Sequence, residues 1–240
     1  ELYAHAQKIV ATLDEAWQVL AELREGIAVE SGPLRIAADT TVGTYVLPAL
    51  LADFRRWRPT SALQLRIVNR LEVRASLLAG EVDLVIAGRP PAIVGLQIIP
   101  FLTNPLVVVA ASTHELARQQ QIPLARLADE TFLLREEGSG TRAAIEELFE
   151  VAGLPLKIGM VFGHIEAIKQ AVAAGLGVSV LSEVAVRREL RSHKLAILQV
   201  EKFPLLRRWY IAHATQQPLS AQVGEFIEFL NGYSAGKSSV

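Results

Sequence analysis

The chain has 240 residues, 51% of them hydrophobic, and sets 24 Lys and Arg against 25 Asp and Glu for a net charge of −1. That composition fills one large or two small domains and excludes a disordered chain, and the near-neutral balance excludes a global attraction to nucleic acid or to an anionic membrane. Having no cysteine, the chain has no disulfide framework, thiol nucleophile or thiolate metal site.

No apolar run reaches the ~20 residues that cross a bilayer and no signal peptide opens the chain, so a cytoplasmic protein is expected. The sequence begins at Glu1 in mid-helix pattern without an initiating Met, and we read it as a fragment whose N-terminal part is missing. Residues 1–30 carry an unbroken 4-3 heptad pattern. Leu2, Ile9, Ala16 and Leu23 fall at d, and Ala6, Leu13, Leu20 and Ile27 at a, with Lys8, Asp14, Glu15, Glu22, Arg24 and Glu25 on the flanks. The spacing predicts a linker helix that dimerises as a coiled coil through Leu2, Ile9, Leu13, Leu20, Leu23 and Ile27. An amphipathic helix lying on its own domain is the alternative. Gly26, Ser31, Gly32 and Pro33 mark a hinge.

The next stretch, LRIAADTTVGTYVLP, opens with a buried strand at 34–38 and breaks at Asp39, Thr40, Thr41 and Gly43. One helix is predicted to follow, with apolar positions at Val46, Leu47, Leu50, Leu51, Phe54 and Trp57 and a stop at Pro59. Thr40 or Thr41 is its natural N-cap, which leaves free backbone N–H groups near Val42. In an open α/β sheet, ligands bind beyond the carboxyl end of a strand, although an ordinary capped junction carries the same residues.

Strand and helix then alternate: a strand at 63–68, a helix at 71–79, a buried strand at 83–87. Strands at 97–101 and 106–111 follow, with Asn104-Pro105 as the break between them. This order implies a mostly parallel sheet with right-handed crossovers. Arg89, fixed by Pro90 and Pro91, is a candidate cleft cation, with a surface role as the alternative.

A second unit repeats the plan. A strand at 131–135 leads through Glu137-Gly138-Ser139-Gly140-Thr141-Arg142 to a helix at 143–152. A strand at 158–162, a helix at 165–174 and a strand at 178–181 follow, after which Ser182 caps a short helix. A further run at 195–200, a strand at 207–214 and a helix at 220–230 complete the chain. Two such lobes would form a clamshell for a small anion, with Gly138, Ser139, Thr141 and Arg142 facing Thr40, Thr41 and Val42. His164, at a strand-to-helix turn, is either a cleft residue or a plain helix cap.

Catalytic chemistry is not visible. The five histidines show no i, i+4 or H-x-H spacing, so no metal site is expected. Gly138-Ser139-Gly140 lacks the Lys of a phosphate loop, and EGSGT does not meet the nucleophile-elbow pattern. Glu136 and Glu137 are adjacent carboxylates of the usual solvated kind. We expect no cofactor.

A heptad helix feeding GPLRIA, then LPALLADFRRWRP, LLAGEVDLVIAG and GHIEAIKQAVAAGLGVSVLSEVAV, resembles the linker helix and effector-binding domain of LysR-type transcriptional regulators. Within that family TTVGTYVLP, GRPP, PFLTNPLVVVAA and REEGSGTR resemble the subgroup that regulates carbon-fixation (RuBisCO) operons. The resemblance implies an α/β fold of the periplasmic-binding-protein type 2 class. Its two lobes would be built from 33–105 with 209–240 and from 106–208, joined by crossover strands near 106–111 and 207–214. It also implies a missing N-terminal winged helix-turn-helix as the only route to DNA, a homodimer or homotetramer, and contact with RNA polymerase. The expected effector is a small anionic metabolite in the interlobe cleft, a phosphorylated sugar or sugar acid first and a dicarboxylate such as 2-oxoglutarate second. A solute-binding protein of a transport system shares the fold, but is usually monomeric and carries a signal peptide. An enzyme would need a convergent acid/base or nucleophile set.

Overall fold

The computed structural model describes residues 32–88, 95–215 and 219–237. The heptad positions Leu2, Ile9, Leu13, Leu20, Leu23 and Ile27, and Arg89 with its two prolines, lie outside them.

Strand β1, Leu34–Asp39, buries Leu34, Ile36 and Ala38 in one core and Ala37 in another, so both its faces are covered. It pairs in parallel with β2, Leu63–Val68, and with β3, Leu84–Ala87. The single helix expected after β1 is two: α1, Thr40–Tyr45, and α2, Leu47–Trp57, separated at Val46. Pro48 is the cause. It offers no N–H to the turn before it and its ring crowds the carbonyl four residues back, yet it suits the first turn of a new helix. Leu47, Leu50 and Phe54 carry α2 into the core, while Trp57 stays half exposed. Helix α3, Arg70–Leu78, covers the opposite sheet face with Val73 and Leu77.

Strand β4, Leu96–Ala111, is continuous for 16 residues where two strands were expected. It lies antiparallel to β9, Leu205–Ala214, with a register shift between Pro100 and Thr103. Pro105 is tolerated because β4 has only β9 beside it there. Its second neighbour, β7 (Ser179–Ser182), first pairs at Leu106. A proline without an N–H is harmless on a one-sided stretch of strand. The long sheet runs β2-β1-β3-β9-β4-β7, with β8, Leu195–Ile197, also on β4. A two-stranded parallel sheet joins β5, Phe132–Arg135, to β6, Ile158–Phe162.

The buried side chains form separate cores. In the first lobe Leu34, Ile36, Phe54 and Leu84 meet Phe101 of β4, Trp209 of β9, and Phe226 and Leu230 of α7, Ala221–Lys237. Further along, β4 alternates faces as a pleated strand must. Leu106 and Val108 pack with Phe132 and with Phe149 of α4, Gly140–Val151. Val107 and Val109 pack under α5, Ile165–Ala173, and α6, Glu183–Arg191. The long strands β4 and β9 thus run from one lobe into the other. Gly177 has φ +155°, and a Cβ there would collide with the carbonyl oxygen of Thr131. The Gly in GLGVSV is therefore what lets the Thr131 and Val178 backbones hydrogen-bond, N–H of Val178 to O of Thr131 at 2.9 Å.

Candidate functional site

Between the lobes lies a cavity of about 370 Å³. Its first wall is the end of β1 and the start of α1, with Asp39, Thr40 and Thr41; Asn69 and Arg70 adjoin it from the start of α3. The opposite wall is the β5–α4 turn, with Glu136, Ser139 and Thr141. The floor is made by the two long strands, where Thr103 stands opposite Arg208 and Asn104 opposite Arg207.

Asp39, not Thr40 or Thr41, caps α1. Its Oδ1 accepts from the Val42 N–H at 3.3 Å and its Oδ2 from the Gly88 N–H at 2.8 Å. One carboxylate thereby ties the start of α1 to the loop that follows β3. Burial pushes the Asp39 carboxyl above the ordinary carboxylate range, opposed by the backbone N–H groups of Gly88, Val42 and Thr41 and by the charge of Arg135. Because Asp39 does the capping, the Thr41 hydroxyl is not needed for it; the Thr40 hydroxyl donates to the Val68 carbonyl at 3.5 Å.

Of the residues singled out from the sequence, Thr40, Thr41, Ser139 and Thr141 come together on this cavity. Val42 does not: its side chain is fully buried and its N–H belongs to Asp39. Gly138 has φ +82° and sits against Leu71 instead of the cavity, so its conformation shapes the turn without lining the site. Arg142 is turned away because α4 begins at Gly140, three residues earlier than expected. The backbone N–H of Arg142 goes to Ser139 Oγ, its Nε to Glu146 at 2.7 Å, and a terminal nitrogen to the Arg135 carbonyl. His164 is an exposed N-cap residue of α5 whose ring makes no capping bond.

Several cavity residues escape a sequence reading. Arg135 looks like the last residue of a strand, yet it is 4% exposed and forks onto Glu136 through Nε (2.7 Å) and a terminal nitrogen (2.6 Å). Asn69 was findable, as a helix-capping Asn before an apolar run: it accepts from the N–H groups of Leu71 and Glu72. Thr103-Asn104, two polar residues inside a long apolar strand, were the other available signal. Arg207 makes a 3.8 Å pair with Glu147, whereas among the described residues Arg70 and Arg208 make no ion pair. Acids and bases are therefore unequally placed. Asp39 and Glu136 are matched by donors of the protein itself, and among the described residues two guanidinium groups of the cavity have no ion-pair partner.

The family model for the LysR substrate binding domain matches residues 28–235. The chain belongs to the LysR family. The LysR domain is 41% identical over 230 residues to the RuBisCO operon transcriptional regulator of Allochromatium vinosum, covering 96% of this chain and 75% of that protein. It is 39% identical over 225 residues to the HTH-type transcriptional activator CmpR of Synechocystis sp., covering 94% and 73%. Among solved structures it is similar to the CcmR regulatory domain of Synechocystis PCC6803 in complex with 2-PG. That match has 39% identity and a TM-score of 0.80, with 84% of this chain and 97% of that chain covered. These relatives are transcriptional regulators, and the fold is the two-lobed periplasmic-binding-protein type. The LysR domain thus belongs to a family of transcriptional regulators, not of enzymes. Among the described residues no helix is long and apolar enough to cross a membrane.

Proposed function

We propose that the interlobe cleft binds a small anionic metabolite and that its occupancy sets transcription of carbon-fixation genes from the cytoplasm. The observation that carries this is the charge arrangement of the cavity: its two carboxylates have partners within the protein, while among the described residues Arg70 and Arg208 make no ion pair. Guanidinium groups bind carboxylate or phosphate oxygens in a fixed fork, and the hydroxyls of Thr40, Thr41, Ser139 and Thr141 add directional contacts from both walls. A cavity of about 370 Å³ suits a metabolite of that kind. The 2-PG complex of the CcmR regulatory domain supports an anion, and the likeness to RuBisCO operon regulators supports the gene class. A phosphorylated sugar or sugar acid is the first candidate and a dicarboxylate the second. In the full regulator the domain would act in a homodimer or homotetramer that reaches DNA through its own reading head and meets RNA polymerase there.

Titration calorimetry with 2-PG, a sugar phosphate, 2-oxoglutarate and neutral analogues tests the proposal. Saturable binding of at least one anion, lost in an Arg70→Ala, Arg208→Ala double variant, is expected. Tight binding of a neutral or cationic compound, with none for the anions, would overturn it.

A further inference from the structure

Asn104 occupies an odd place. It interrupts the apolar course of β4, is only 9% exposed, and lines the cavity at its floor. Its Oδ1 accepts a hydrogen bond from the hydroxyl of Ser182 at 2.5 Å, across 78 residues of sequence. Ser182 is 3% exposed and is the N-cap residue of α6. A serine at an N-cap ordinarily accepts from the first turn of its helix. In the structure its side chain makes no capping bond and serves Asn104 instead. Serine is favoured at that position because its oxygen accepts from the first turn, so a cap serine turned elsewhere has another task.

That task is legible in the amide. An asparagine side chain is a planar group with one accepting oxygen and an NH2 that donates twice. With Oδ1 held by Ser182, Nδ2 is directed away from that contact. It has no protein partner among the described residues, and it is not sealed off either, since Glu189 Oε2 is the one fully buried side-chain polar atom without a partner among them. The open side of Asn104 is the cavity.

We propose that Asn104 is a specificity-determining donor on the cleft floor, and that Ser182 is a positioning residue that keeps the NH2 facing the ligand. The inference rests on the effector reading above and deepens it. The floor selects a ligand that presents an oxygen acceptor, carboxylate or phosphate, between the two walls, and rejects one that presents a donor there. A site built to hydrogen-bond its ligand discriminates strongly, because a mismatched ligand leaves a buried group unpaired.

The experiment is calorimetry on the whole chain with 2-PG and 2-oxoglutarate as probes. Asn104→Asp keeps the shape and the bond from Ser182 but faces the ligand with a second oxygen; affinity for whichever anion binds should fall by about tenfold or more. Ser182→Ala frees the amide to rotate and should weaken binding by about three- to tenfold. In an Asn104→Ala background the same Ser182→Ala change should cost nothing further, whereas a serine acting only on α6 would cost the same in both backgrounds. The wild-type protein gives a second readout that needs no variant: the Asn104 side-chain NH2 signals in a heteronuclear NMR spectrum should shift on addition of the probe. Wild-type protein that binds neither these anions nor a sugar phosphate overturns the effector reading and this assignment with it. Wild-type binding, with unchanged affinity in Asn104→Asp and unmoved NH2 signals, overturns this assignment alone.

Discussion

Replacing Lys169 with Met is the sharpest test of how the second lobe is held together. Lys169 on α5 is 2% exposed. Its Nζ donates to the Ala185 carbonyl and to Glu189 Oε1, both at 3.1 Å, and pairs with Glu166 Oε1 at 2.7 Å. The two carboxylates differ. Glu166 has a side chain 63% exposed, so its pair contributes no more than about 1 kcal/mol. Glu189, with a side chain 9% exposed and an Oε2 that has no partner among the described residues, has Lys169 as its buried counter-charge. Removing one member of a buried pair costs about 3–5 kcal/mol, because the other is left buried and uncompensated. A domain of this size loses roughly 2–4 °C per kcal/mol, so the melting temperature should drop by about 6–20 °C. Urea unfolding of Lys169→Met, Glu189→Leu and the double variant is the assay. Because an apolar pair of similar volume replaces a buried ion pair at little cost, the double variant should regain most of what Lys169→Met loses. A single variant within about 1 kcal/mol of wild type, or a double variant whose losses simply add, would refute the reasoning.

Three other perturbations probe other parts of the molecule. Thr41→Val keeps the shape of the first wall without its hydroxyl, and should weaken anion binding a few-fold to about a hundredfold with an unchanged melting temperature, as titration calorimetry and thermal unfolding would show. Burial raises the Asp39 pKa in the folded state, so the stability tied to its protonated form is complete below about 3.9 and is lost as pH rises through the folded value. Wild type should therefore lose stability relative to Asp39→Asn as pH climbs from about 4 toward neutrality; urea curves at stepped pH that diverge the other way would contradict this. Leu13→Lys with Leu20→Lys should halve the mass seen in sedimentation if the heptad seam holds the dimer, and an unchanged mass would remove the seam from consideration.

Much of the lobe plan was legible because it depends on local pattern. The buried run of β1, the Gly/Ser turn before α4 and the apolar period of α5 each announce themselves within a dozen residues. The break between α1 and α2 was legible too, in Pro48, but the apolar period running through Val46 and Leu47 masked it. What could not be read was whatever depends on distant neighbours. Pro105 marks a strand end unless one knows that β7 joins β4 only one residue later. Thr41 is as good a cap as Asp39 until Gly88 is brought within 2.8 Å of the same carboxylate. A helix starting at Ala143 would turn Arg142 toward the cleft. The earlier start at Gly140 gives Glu146 the guanidinium, and the cavity's guanidinium groups come instead from Arg70 of α3, Arg135 of β5 and Arg207 and Arg208 of β9, elements far apart in the sequence.

The core of the first lobe is assembled from both ends of the sequence: Leu34, Phe54 and Leu84 share it with Trp209, Phe226 and Leu230. The second lobe's main core lies between Leu106 and Leu205, one uninterrupted segment. A ribosome, which releases the chain from its N-terminus, therefore delivers the first lobe's strands early and the pieces that seal them last. Until β9 emerges, β3 has β1 on one side and an open row of backbone donors and acceptors on the other. The second lobe has all its parts first and can close while the first is still waiting. Such an unsealed edge, held open for the synthesis of more than a hundred residues, is the kind of surface on which nascent chains pair wrongly with one another and which chaperones cover.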